Sequence, residues 1–192
     1  MVEKRVLAAT RWHYGSVPDA SKLRPGDPEE IAGYRVVGRL GAGGQGVVYL
    51  ATSASGDKVA IKQLRFGEQD ERARQQFVKE VSAARLVAPF CTAQVLDAQL
   101  DGPSPYVVSE YIEGLSLQQR IEQKGPMAEA ALHRLAIGTT TALAAIHQAG
   151  VVHRDFKPAN VMLAYDGPRV IDFGIARDLS MDTTVTSRVF GT

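Results

Sequence analysis

Between positions 151 and 174 the chain breaks into very short apolar runs, VVH, VML and RVIDF. Between and after them stand HRDFKPAN (153–160) and DFG (172–174). Runs this short read as strands rather than helices, and they leave Asp155, Asn160 and Asp172 at loop positions. Two acids and an amide at fixed intervals are what phosphoryl transfer from Mg-ATP requires. One carboxylate orients a hydroxyl nucleophile, and two oxygens serve as ligands for magnesium.

A chain of 192 residues that is 45% hydrophobic has enough apolar material for one domain with its own core. Its net charge of +1 and pI near 7.9 advertise neither a nucleic-acid partner nor an acidic membrane surface. A single cysteine, Cys91, excludes an intramolecular disulfide framework, fits a reducing cytoplasm and reads as a small buried apolar residue. No apolar run approaches the ~20 residues that span a bilayer. The N-terminal MVEKRVLAATRWHYG has no secretory apolar core, so neither a membrane segment nor a signal peptide is expected.

Residues 1–31 read as a flexible tail, because SVPDASKLRPGDPEE is rich in Pro, Ser, Asp and Gly and has no period. Beyond it, YRVVGRL, VVYLATS and KVAIKQL predict three strands, the last two joined by the turn SASGDK. A charged helix follows, with Phe77, Val81 and Ala84 on one face. TAQVLDAQL and PYVVSEYI predict two more strands around DGPS. A short helix at SLQQRIEQ should begin with a Ser cap. A longer helix over 127–148 should carry Leu132, Leu135, Ala136, Thr139, Leu143 and Ile146 on one stripe, with Gly150 just past its end. The pattern is a five-stranded sheet with one helix, leading into a helical part that bears the acids.

LGAGGQGVVY sets Gly41, Gly43 and Gly46 in a G-x-G-x-x-G-x-V frame ending at Val48. Glycines let the backbone lie close over phosphates and offer amide donors without side-chain obstruction. The same six residues match a dinucleotide-binding turn, and a plain hairpin is a third reading. The dinucleotide turn opens a helix, whereas β-branched VVYLATS follows here and favours strand–loop–strand. In VAIK (59–62), Lys62 shares a strand face with Ala60; it is either solvated or aimed at phosphates held by the glycine loop.

In this order and at these separations, the motifs resemble those of eukaryotic-like bacterial Ser/Thr protein kinases over residues 32–192. The resemblance implies an α+β, bilobal fold. It comprises an N-lobe at about 32–112, with a five-stranded antiparallel sheet and one main helix, and a partial, mainly helical C-lobe at about 113–192. It implies that ATP is held by Leu40, Gly41, Ala42, Gly43, Gly44, Gln45, Gly46, Val47, Val48 and Lys62, with the backbone of Glu110 and Ile112 on the adenine edge. Lys62 would pair with Glu80, which sits in the family's arrangement FVKEVSAARL; Glu71 is the alternative. Asp155 would align the acceptor hydroxyl, Lys157 would contact the γ-phosphate, and Asn160 and Asp172 would hold Mg²⁺. His153 would be structural, Phe156 stands where leucine is usual, and Ser109 is a small residue at the back of the adenine site.

Arg154 beside Asp155 implies regulation by a phosphate on the activation loop, for which Thr183, Thr184, Thr186 and Ser187 are the candidates and near which Thr192 would approach Asp155. The partners implied are proteins with Ser/Thr acceptors and a second kinase copy for autophosphorylation, and the expected setting is cytoplasmic. Such a domain normally continues past Thr192, so the chain reads as a fragment. The rival function is then a catalytically incompetent ATP-binding or interaction module.

Overall fold

The computed structural model describes residues 20–43, 46–64 and 71–173. The first part is an antiparallel sheet in the order β1-β2-β3-β4-β6-β5, formed by β1 (Glu30–Ile31), β2 (Tyr34–Gly43), β3 (Gly46–Thr52), β4 (Lys58–Leu64), β5 (Val95–Gln99) and β6 (Tyr106–Glu110). The sheet therefore has six strands where the sequence predicts five. The extra one is β1, which enters through Ala32 and Gly33, both at positive φ (55° and 81°). Two such residues between paired strands make the tight hairpin turn whose usual sequence is Asn-Gly. Ala-Gly carries no such signal.

Residues 20–31, expected in the tail, thus lie against β2. Ser21 and Arg39 exchange backbone hydrogen bonds at 2.8 and 2.9 Å, and residues 1–19 fall outside the described part.

Helix α1 (Glu71–Ala84) lies on one face of the sheet. There Phe77, Val81 and Ala84 join Leu64, Val87, Val95 and Val107 in a cluster that runs on into Ala142, Ile146, Val151, Val170 and Phe173. The opposite face carries a second cluster built on Val36, Val47, Tyr49, Val59, Ile61 and Val108. Alternation along β4 sends Val59 and Ile61 to that cluster and Ala60 and Lys62 to the other side.

The second part holds β7 (Leu115–Ser116), α2 (Leu117–Lys124), α3 (Glu129–Gln148), β8 (Val161–Ala164) and β9 (Gly167–Val170), the three strands forming an antiparallel β7-β8-β9 sheet. Ser116 caps α2 reciprocally. Its hydroxyl accepts from the Gln119 N–H at 3.1 Å, and its own N–H donates to the Gln119 side chain at 2.7 Å. Helix α3 ends where Gly150 takes a φ of 76° and Val151 N–H reaches back to Ile146.

Of the expected stripe along α3 only Ile146 is buried, joined by Ala142, which was not expected on it, while Leu132 and Ala136 are exposed. Gly138 explains the shift of face. A Cβ there would meet the Pro168 ring at 2.3 Å, so this turn of the helix rests directly on β9. The run VVH, expected as a strand, is a loop in which Val151 and His153 are buried and Val152 points out.

Candidate functional site

A cavity of about 460 Å³ opens between the two sheets. Its roof is Leu40, Gly41 and Val48 from the β2–β3 hairpin. One wall is Ala60 and Lys62 of β4, and its inner edge is Ser109, Glu110, Tyr111 and Ile112, where β6 runs into the second part. Asn160, Met162, Ile171, Asp172 and Phe173 form the floor. The lining is mainly apolar with a few converging polar groups, as expected of a small-molecule site.

The hairpin is shaped by Gly46. Its φ is 144°, and a Cβ would fall 1.9 Å from the Gln63 carbonyl oxygen, so no side chain fits there. Of the expected phosphate-loop residues, Leu40, Gly41 and Val48 reach the cavity. Val47 turns instead into the cluster on the other face, Ala42 and Gly43 are exposed, and Gly44 and Gln45 lie outside the described residues.

Lys62 Nζ donates to Asp172 Oδ1 at 2.6 Å, across 110 residues of sequence. Asp172 holds a left-handed φ of 57°, and Arg154 one of 58°. Neither is glycine, so each conformation costs about 1–3 kcal/mol, which the surrounding packing must offset. Arg154 donates to Glu80 Oε1 at 2.5 Å, tying the catalytic-loop candidate to α1. Glu71, the alternative, lies at the first residue of that helix.

Asp155 is held from two sides. Lys157 Nζ donates to its Oδ2 at 2.7 Å, and Asn160 Nδ2 donates to its carbonyl at 2.9 Å and to Oδ2 at 3.3 Å. With the Asn160 nitrogen so committed, the amide can offer only Oδ1 to a cation, and Lys62 leaves Asp172 its Oδ2. One carboxylate and one amide oxygen suit Mg²⁺, which keeps several waters and substrate phosphates in its shell and needs few protein ligands. Among the described residues, no group of three or more His, Cys, Asp or Glu is gathered to hold a metal alone.

His153 lies beneath this loop, its ring edge-on to Phe156 at 5.5 Å and to Phe173 at 6.4 Å. Burial pushes its pKa below the ordinary histidine value; its Nδ1 accepts from the Asp155 N–H at 3.4 Å, and its Nε2 has no hydrogen-bond partner.

Three features had no clear signal in the sequence. Helix α2 contributes Gln118, Gln119 and Glu122 to the cavity. Met162 on β8 forms part of the floor, where only alternation along a short strand could have suggested it. Arg169 on β9 reaches the Pro89 carbonyl at 2.8 Å and Glu110 Oε2 at 3.5 Å, and also pairs with Asp166. It thereby joins the strand that leads to Asp172 to the strand that ends at Glu110. Thr183, Thr184, Thr186, Ser187 and Thr192 lie outside the described residues.

Comparison with known proteins gives the family. The family described as Protein kinase domain matches residues 34–192. The chain is 49% identical over 173 residues to a probable serine/threonine-protein kinase, PkwA, of Thermomonospora curvata, covering 88% of this chain and 23% of that protein. It is 47% identical over 173 residues to the serine/threonine-protein kinases AfsK of Streptomyces coelicolor and Streptomyces griseus, covering 89% of this chain and 22% and 21% of theirs. It thus spans less than a quarter of the length of these relatives.

Proposed function

Because the chain belongs to the protein kinase family, we propose that it transfers the γ-phosphate of ATP to Ser or Thr hydroxyls of proteins. The observation that carries this reading is one continuous cavity lined by Glu110, Tyr111 and Ile112 on one side and by the Lys62–Asp172 pair on the other.

In this reading the backbone of Glu110 and Ile112 bonds the adenine edge, and the glycine-loop amides of 41–46 cover the phosphates. Lys62, paired with Asp172 as described, holds the α- and β-phosphates, and the family resemblance assigns Glu80, which bonds Arg154 here, to steady that lysine. Asn160 Oδ1 and Asp172 Oδ2 would hold Mg²⁺, which would supply positive charge against the phosphates. Asp155 accepts a hydrogen bond from the acceptor hydroxyl, orients it and takes its proton. The new O–P bond forms on the γ-phosphorus as the bridging bond to the β-phosphate breaks, and ADP leaves with that oxygen's charge. Lys157, already beside Asp155, offsets charge on the transferring phosphoryl group. Catalysis is chiefly positioning and electrostatics.

Glu80 neutralises Arg154 in the arrangement described. A phosphate on Thr183, Thr184, Thr186 or Ser187 would give the same guanidinium a second anionic partner, so autophosphorylation between copies should raise activity. The setting proposed is the cytoplasm. No helix among the described residues is long and apolar enough to cross a membrane.

The test is transfer of labelled phosphate from Mg-ATP to the chain and to a generic basic protein, beside Asp155→Asn. Incorporation that falls by about 10²-fold or more in the variant supports the reading. ATP binding without any transfer would reject it.

A further inference from the structure

The segment 20–31 lies ahead of the family match and is built into the sheet in an unusually specific way. Pro25 and Gly26 make a turn in which Gly26 has a φ of 90° and Asp27 N–H bonds the Arg24 carbonyl at 3.0 Å. Proline second and glycine third is the sequence such a turn demands. The turn delivers Asp27 to the face of the sheet, where its side chain is only 3% exposed.

There Asp27 accepts four hydrogen bonds. Arg39 Nε gives one to Oδ2 at 2.7 Å, and Arg39 Nη2 one to Oδ1 at 2.5 Å. The Tyr49 hydroxyl donates to Oδ1 at 2.9 Å, and the Arg24 N–H donates to Oδ2 at 2.7 Å. Arg39 and Tyr49 face each other in register across β2 and β3, and the guanidinium lies 5.9 Å from the Tyr49 ring centre. Gly38, next to Arg39, admits the segment. A Cβ there would come within 3.0 Å of both Ala20 Cβ and the Ser21 carbonyl oxygen.

Arg39 immediately precedes Leu40 and Gly41, which roof the cavity, and the pairing of β2 with β3 shifts register between Arg39 and Gly41. The clamp therefore grips both strands at the root of the phosphate-loop hairpin. From that root to Gly43 the strand projects ~13 Å at ~3.3 Å per residue. A rotation of about 10° at the root moves the tip by about 2 Å over that length, and misplacement on that scale is costly for a bound reactant.

We propose that Asp27 is a positioning residue for ATP: by clamping Arg39 to Tyr49 it fixes the height of the glycine loop over the phosphates. The proposal rests on the kinase reading of the cavity. It concerns the phosphates alone, since the strand end at Glu110–Ile112 receives no contact from the clamp among those described.

The test is calorimetric affinity of the full chain for ATP, ADP and adenosine, well below the melting temperature of each variant. Asp27→Asn is expected to weaken ATP and ADP 5–20-fold while adenosine changes less than twofold. Arg39→Lys, which keeps the charge and loses the fork, should fall between it and the wild type. Should Asp27→Asn fail to fold, Tyr49→Phe removes one hydroxyl and should weaken ATP 2–4-fold, again sparing adenosine. Equal losses for ATP and adenosine, or none for ATP, overturn the proposal while the wild type still binds ATP. A wild-type chain that binds no ATP instead overturns the kinase reading and the clamp with it.

Discussion

Lys62, Asp155 and Asp172 are each held by an opposite charge before any ligand arrives, so single substitutions here expose one partner as well as removing the other. Lys62→Met strips Asp172 Oδ1 of its donor and leaves a carboxylate beside an apolar side chain. We expect it to lose phosphotransfer by at least 10²-fold, and Asp155→Asn to do the same while ATP affinity stays within about threefold, since the proposed function sets Asp155 against the acceptor rather than the nucleotide. Single-turnover transfer and equilibrium binding on the same samples separate the two.

Asp27 has a different signature. The Arg39 guanidinium holds its carboxyl far below the ordinary carboxylate range. A depressed folded pKa gives stability that is present above the unfolded value of about 3.9 and lost as pH falls below it. Asp27→Asn should therefore flatten the acid limb of a urea-midpoint profile below about pH 4. His153 acts over a higher window. Its pKa is lowered by burial, so below about pH 6.5 the unfolded chain takes up a proton that the folded ring refuses, and stability falls as pH falls. His153→Phe, in the same urea profile, should remove that slope.

Strands and helices are where sequence and structure agree most and also where they part. Periodicity locates β4, α1 and α2 because each has an unambiguous buried face or cap: Val59 with Ile61, Phe77 with Val81 and Ala84, and Ser116 with Gln119. It fails at β1, whose two residues are too few for a period, and along α3, where Gly138 against Pro168 decides which face is covered. It also fails for Asp27, whose purpose depends on an arginine 12 positions on and a tyrosine 22 positions on. Asp155 and Lys62 stand out in the sequence because spacing within a motif marks them; the bond between Arg154 and Glu80, 74 residues apart, exists only in the fold.

Two substitutions test these elements. Gly46→Ala puts a methyl against the Gln63 carbonyl at a φ that alanine resists, and should cost about 3 kcal/mol in urea unfolding. Arg169→Met unties β9 from Pro89 and Glu110. The loss of about 2 kcal/mol of charged hydrogen bonding should lower Tm by about 4–8 °C.

At the scale of the molecule, one apolar cluster serves both parts. Phe77 and Val81 of α1, Val107 of the first sheet, Ile146 of α3 and Phe173 beside Asp172 belong to the same body of side chains. Backbone bonds reinforce it, with Val170 N–H to the Cys91 carbonyl at 2.9 Å and Ala93 N–H to the Val170 carbonyl at 3.2 Å. Ile146→Ala, at a fully buried position, should destabilise the whole chain by about 2–5 kcal/mol in a single transition rather than melting the second part alone. Two separate transitions by circular dichroism and tryptophan-independent probes would contradict that unity.

Cys91 sits inside this shared cluster and is the chain's only thiol. Burial raises its pKa, so a thiol reagent meets neither access nor thiolate while the cluster is closed. The protein thus carries its own clock: the rate at which Cys91 is modified counts the openings of the core, with no label to introduce and no second site to subtract. Any small molecule that binds the closed form slows that clock by a factor of one plus its concentration over its Kd, so a mass shift read over time ranks nucleotides without a coupled assay.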